Sequence, residues 1–188
     1  MEHKAPTLLP GQRLRARGAD TNHAGRFEAT DRIAFADDWD IPEDDRLVRT
    51  ETRLERPRSA ITWQSSPDLP FDRSINPYRG CEHGCIYCYA RPSHCYLGHS
   101  AGLDFETKLY AKTNAAVLLE RELAHKGYKP QVIALGTNTD PYQPIEREHR
   151  ITRSILEVLE RTSHPVGIVT KSALVLRDVD ILSRMAAR

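Results

Sequence analysis

The sequence contains no run of about 18 apolar residues and no signal-peptide core near its N-terminus, so it gives no sign of membrane insertion or export. A strong charge of either sign is also missing. Its 27 Lys and Arg against 26 Asp and Glu leave a formal net charge of +1, which supplies no global field to gather nucleic acid. A nucleic-acid site would have to be a local patch. Hydrophobic residues at 39% and charged residues at 28% describe an ordinary soluble chain, for which a cytoplasmic location is the expectation. Cysteine is absent from all but one stretch: the four cysteines fall between residues 81 and 95. So closely spaced, they are poor material for disulfides that brace a fold, and in a reducing compartment they point to metal binding or catalysis. The 188 residues suffice for one domain with a core and are too few for two large ones.

The composition changes near residue 70. Residues 1–70 form a polar N-terminal extension, expected to be partly disordered, with scattered Arg13, Arg15, Arg17 and Arg26 and then the acidic run Asp37, Asp38, Asp40, Glu43, Asp44 and Asp45. The stretch from Val48 to Trp63 has room for one or two strands. Residues 71–188 read as alternating strands and helices. Strands are expected over 74–79, 131–136 and 166–171. Thr113 is placed to cap a helix with Ala116, Leu119 and Leu123 on one face and Gly127 as its stop. Ile151, Ile155, Val158 and Leu159 mark a second helix, and Val179, Leu182 and Ala186 a last one. This order is the signature of an α/β fold with a parallel sheet of right-handed βα repeats, whose functional groups gather at the carboxyl ends of the strands. The cysteine loop, the loop GTNTDPYQP and the Lys171-Ser172 turn each follow a strand and should share that face.

Cys81, Cys85 and Cys88 form C-x3-C-x2-C within the stretch RGCEHGCIYCYARPSHC, residues 79–95. A structural zinc site takes four ligands, usually as two separated pairs, and here the fourth would have to be Cys95, His83 or His94. A [4Fe–4S] cluster held by three thiolates leaves one iron open for chemistry. Zinc stays possible but fits less well. Both His83 and His94 read better as neighbours of the ligands than as ligands, and Cys95, outside the spacing, reads as an incidental thiol.

With an aromatic just before its last cysteine, the loop CEHGCIYCY resembles that of the radical S-adenosylmethionine superfamily, and LGTNTDPYQPIE at 135–146 and VTKS at 169–172 resemble its spore photoproduct lyase-like branch. The resemblance covers about residues 71–188. It implies that Cys81, Cys85 and Cys88 hold a [4Fe–4S] cluster whose open iron is chelated by S-adenosylmethionine. It further implies that one electron, supplied by a flavodoxin- or ferredoxin-type reductant, cleaves that nucleotide to methionine and a hydrogen-abstracting 5′-deoxyadenosyl radical. Carried over, Tyr87 would contact the adenine, with a core aromatic as the alternative. Gly136, Thr137 and Asn138 would meet the aminoacyl end, or else serve ordinary turn chemistry. Lys171 and Ser172 would anchor the carboxylate, unless Lys171 is simply a solvated strand-end lysine. Glu146 is read as a carboxylate favouring a helix dipole in preference to a ribose ligand.

The resemblance implies a TIM-like barrel of six βα units, of which about three are expected here, so the remainder would be missing or supplied by another chain. Half a barrel leaves its last strand as an unpaired edge. No substrate is legible: a nucleic-acid base would follow only if the likeness extended to substrate, and neither a base-flipping pocket nor a hydrogen-donating cysteine is found. An electron-transfer module that keeps the cluster without turnover is the alternative class.

Overall fold

The computed structural model describes residues 17–28 and 49–187; the acidic run at 37–45, Arg13 and Arg15 lie outside the described residues. Seven strands form two short sheets. They are β1 (Glu51–Glu55), β2 (Thr62–Trp63), β3 (Arg73–Ile75), β4 (Tyr78–Arg79), β5 (Lys108–Lys112), β6 (Ile133–Leu135) and β7 (Val166–Ile168). One sheet has the order β2-β3-β6-β7 and the other β1-β5-β4.

The expected parallel arrangement holds for β3 with β6 and β6 with β7; β1 and β5, a pair not expected, also run parallel, whereas β2 runs antiparallel to β3 and β4 antiparallel to β5. The architecture is therefore mixed α/β with mixed sheets, and the described residues close no barrel. The chain between β2 and β3 is too short for a crossover helix, so it returns antiparallel. The strand expected over 74–79 is cut in two at Asn76-Pro77, since proline has no N–H for a ladder. Its halves enter different sheets, and Pro77 keeps its carbonyl engaged by the Lys112 N–H at 3.0 Å.

The helices are α1 (Leu103–Thr107), α2 (Ala115–Leu123), α3 (Glu146–His149), α4 (Ile151–Arg161) and α5 (Val179–Ala186). Helix α2 begins after Asn114, with no side-chain cap, and ends before Gly127, one correction to the sequence reading. Helix α4 buries the face its spacing predicts, with Ile151, Ile155, Val158 and Leu159 all inside. In α5 the buried residue is Ile181, with Leu182 and Met185 half-buried beside it, while Val179 and Ala186 stay exposed. The preceding 3-10 turn Ala173–Asp178 rotates the helix start away from the expected register. These helices pack on Ile75, Ile133 and Leu135 of the first sheet, α2 against α4 and α4 against α5. Leu119, Leu135, Ile155, Leu156 and Leu159 are wholly buried, each worth about 2 kcal/mol of transfer free energy. Ala60 and Ile61, from the segment assigned to the polar extension, belong to the same core. No helix among the described residues is long and apolar enough to cross a membrane.

Helix α4 ends on Ser163, whose φ of 49° is left-handed, with the His164 N–H bonded to the Leu159 carbonyl at 2.9 Å. A side chain there costs about 1 kcal/mol or more, and glycine gives back about 0.5 kcal/mol in unfolded-chain entropy. Ser163→Gly should therefore stabilise the protein by about 0.5 kcal/mol, raising Tm by one to two degrees in calorimetry; a lowered Tm would contradict this account of the helix end.

Candidate functional site

The cysteine loop leaves β4 and is held by its backbone. The Cys81 N–H donates to the Phe105 carbonyl at 2.9 Å. Gln143, fully buried, donates to the Gly80 carbonyl at 3.1 Å and accepts from the Glu82 N–H at 3.0 Å, gripping the chain on both sides of Cys81. Arg91 donates to the Cys85 carbonyl at 2.9 Å and reaches the Ala101 and Gly102 carbonyls. Its other arm pairs with Glu106, a carboxylate with no exposed surface. Glu106 also accepts the backbone N–H groups of Arg17, Gly18 and Ala19 at 3.0, 2.9 and 2.9 Å. A strap of residues 17–28 thus lies over the loop. At Gly18 a Cβ would come within 1.9 Å of the Gly84 carbonyl oxygen, so the two chains touch at glycines. Arg17 completes the clamp through Glu82 at 2.7 Å. None of Arg91, Gln143, Glu106 or the strap was singled out from sequence for a role in the site.

The loop after β6 is shaped from the break between β3 and β4. Asn76 accepts the N–H groups of Asn138 and Thr139 at 2.8 and 3.3 Å and donates to the Thr137 hydroxyl at 3.2 Å. Asp140 binds this loop to the one after β7, accepting the Thr170 hydroxyl at 2.7 Å and the Lys171 N–H at 3.0 Å. Burial alone would raise the Asp140 carboxyl, but its hydrogen bonds, with His83 at 3.4 Å, hold it below the usual range. Gly136 has a φ of 89°, and a Cβ on it would lie 2.4 Å from the Val169 carbonyl oxygen and 2.6 Å from Pro141 Cδ. The close approach that requires glycine here is made by the protein's own chain.

Each residue named from sequence can now be placed. Cys81 is buried, and burial pushes its thiol up to about 11 despite hydrogen bonds from the backbone of Asp140 and His83. Cys85 is half-buried with the Lys171 ammonium 2.8 Å from its sulfur, a contact that raises Lys171. Cys88 packs against Cys81, Ala90 and Phe105. Tyr87 is 83% exposed and takes no part in the core of the described residues. Tyr89 donates from its hydroxyl to the Thr137 carbonyl, and Asn138 reaches the Ser93 hydroxyl at 3.2 Å, so the first and second loops meet. Ser172 spends its hydroxyl on the Leu174 N–H, capping the turn before α5. Glu146 is wholly buried against Tyr78, Arg177 and the Thr152 N–H at the start of α4, in line with its reading as a helix-terminus carboxylate. Cys95 is buried beneath Gly25 of the strap.

The donor chemistry suits a soft metal group: three cysteine sulfurs in one loop, with backbone N–H groups turned towards Cys81 and an ammonium beside Cys85, are of the kind that holds iron–sulfur clusters once the thiols lose their protons. Among the described residues no three Cys, His, Asp or Glu side chains already surround one point.

No protein-family model matches the chain, and no solved structure matches it. It is similar to an uncharacterized protein of Mycobacterium tuberculosis and to one of Mycobacterium bovis, each 42% identical over 118 residues, covering 63% of this chain and 35% of theirs. An uncharacterized protein of Methanocaldococcus jannaschii is 32% identical over 113 residues, covering 60% of this chain and 40% of its own. The chain thus spans little more than a third of the length of these relatives.

Proposed function

We propose that this chain carries the cluster- and nucleotide-binding part of a radical S-adenosylmethionine enzyme, its sheet forming part of a barrel wall. One observation supports the reading above others: three loops far apart in sequence meet at the carboxyl ends of β4, β6 and β7, joined by Tyr89 to Thr137, Asp140 to Lys171, and Lys171 to Cys85. Cys81, Cys85 and Cys88 would hold a [4Fe–4S] cluster, which when bound supplies the electron that cleaves a carbon–sulfur bond of S-adenosylmethionine. Gln143 and Arg91 keep the ligand loop in place while the thiols lose their protons. Lys171 offsets the negative charge that builds up at Cys85 and, being exposed, can swing to a carboxylate. Exposed Tyr87 is free to stack on a base. The substrate and the reductant, of the flavodoxin or ferredoxin class, come from outside the chain.

Reconstitution with iron and sulfide under anaerobic conditions tests this. The protein should bind about four irons, show a changed electron paramagnetic resonance spectrum when S-adenosylmethionine is added to the reduced form, and release 5′-deoxyadenosine. Alanine at Cys81, Cys85 or Cys88 should abolish the iron, and alanine at Cys95 should not. A colourless protein holding one zinc and no iron would overturn the proposal, and a reduced cluster indifferent to the nucleotide would leave the electron-transfer class.

A further inference from the structure

At the opposite end of the strands, near the start of β3 and the chain leading into β6, a cavity of about 640 Å3 opens between strands β2 and β3, with the chain just before β2, and the C-terminal half of α2. That volume lies within the range of small-molecule sites. Its walls were built for rigidity. The Arg73 guanidinium sits 4.5 Å from the centre of the Trp63 ring and 5.2 Å from that of Tyr128, and the two rings meet edge-on at 6.3 Å. Arg73 is only 3% exposed, and its charge is taken by Asp72 at 2.6 and 2.8 Å and by the Lys129 carbonyl at 2.6 Å. It props the rings and has no charge to spare. Trp63 nevertheless leaves 57% of its surface in solvent.

The charge lining the cavity is unbalanced. Arg58, Arg121 and Lys129 line it, and none of their side chains has an anionic partner among the described residues. The one carboxylate on the same wall, Glu122, is already engaged by the N–H groups of Ala60 and Ile61 at 2.7 and 2.9 Å. An indole with an open side calls for a flat ring, and three unmatched cations call for an anion of more than one charge. A nucleoside polyphosphate meets both needs in one molecule.

We propose that this cavity binds a nucleoside di- or triphosphate, its base against Trp63 and its phosphates among Arg58, Arg121 and Lys129. The site is independent of the cysteine loop and of any reaction there. It recognises a negatively charged nucleotide, unlike a site for the sulfonium of S-adenosylmethionine.

Trp39 and Trp63 are the two tryptophans of the chain, so Trp39→Phe leaves Trp63 as a single reporter. Titration of that variant with ATP should give a saturable change in fluorescence. Adenosine should bind at least tenfold more weakly, and pyrophosphate should compete with ATP. Arg58→Ala combined with Arg121→Ala should weaken ATP binding tenfold or more with the circular dichroism spectrum intact, and Lys129→Gln should weaken it severalfold. Cys85→Ala should leave it unchanged, which separates this test from that of the cysteine loop. Absence of a saturable response, a response that survives loss of both arginines, or much tighter binding of single-stranded DNA than of ATP would overturn the proposal.

Discussion

Glu106→Ala is expected to destabilise the protein by about 4 kcal/mol, because it strands the buried Arg91 guanidinium and leaves three strap N–H groups without an acceptor. Breaking a buried ion pair alone costs about 3–5 kcal/mol, and each orphaned N–H that water cannot reach adds about 1–3 kcal/mol. The strap can lift its N–H groups into solvent and so escape that addition, which leaves the ion-pair cost of about 3–5 kcal/mol as the expected loss. Calorimetry should show Tm falling by about ten degrees, from a response of about 2–4 degrees per kcal/mol in a chain of this size. Limited proteolysis should then cut first within residues 17–28. A loss below 1 kcal/mol with an uncut strap would mean that the clamp holds nothing.

Gly136→Val is expected to be of similar severity for a different reason. A β-branched side chain at a φ of 89° is strained by about 1–3 kcal/mol, and its Cβ must displace the Val169 carbonyl, 2.4 Å away, which is backbone and cannot rotate aside. The loops after β6 and β7 should be pushed apart, and with them the Asp140 to Lys171 link. Urea unfolding should show a loss of about 3 kcal/mol or more, and Gly136→Ala should share most of it. An alanine variant as stable as the parent would contradict the geometry. Any loss of nucleotide response in these variants then reports a displaced loop, not a blocked contact with the nucleotide.

What the sequence disclosed was local or periodic. The apolar rhythm of α4 was legible because its buried side is fully formed by the helix itself. The meeting of three loops followed from the rule that βα units present their loops on one side. Strand β5 was missed because its five residues, KLYAK, alternate too briefly to stand out. Strand β1, ETRLE, lies in the stretch from Val48 to Trp63 where one or two strands were expected, although its mostly solvated surface has no apolar face to fix its bounds. The strands β2 and β4 lie in stretches where strands were expected, but their antiparallel direction was missed, because strand direction is set by pairing and not by composition. The supports of the cysteine loop were invisible for a simpler reason. Glu106 and Arg17 lie 89 positions apart, and a lone buried Glu or Gln looks like any surface residue until the fold brings its partners to it.

The strap contact also sets an order of events during synthesis. Cys81, Cys85 and Cys88 lie between the two halves of the clamp, so as the chain emerges from the ribosome N-terminus first they are made after Arg17 and before Glu106. For that interval the strap has no acceptor to close upon, and closing so long a loop is slow compared with forming α4. The thiols thus pass through a period in which their loop is uncovered. If the proposed cluster is bound there, a factor that loads it would find its opening in the nascent chain, before the strap docks.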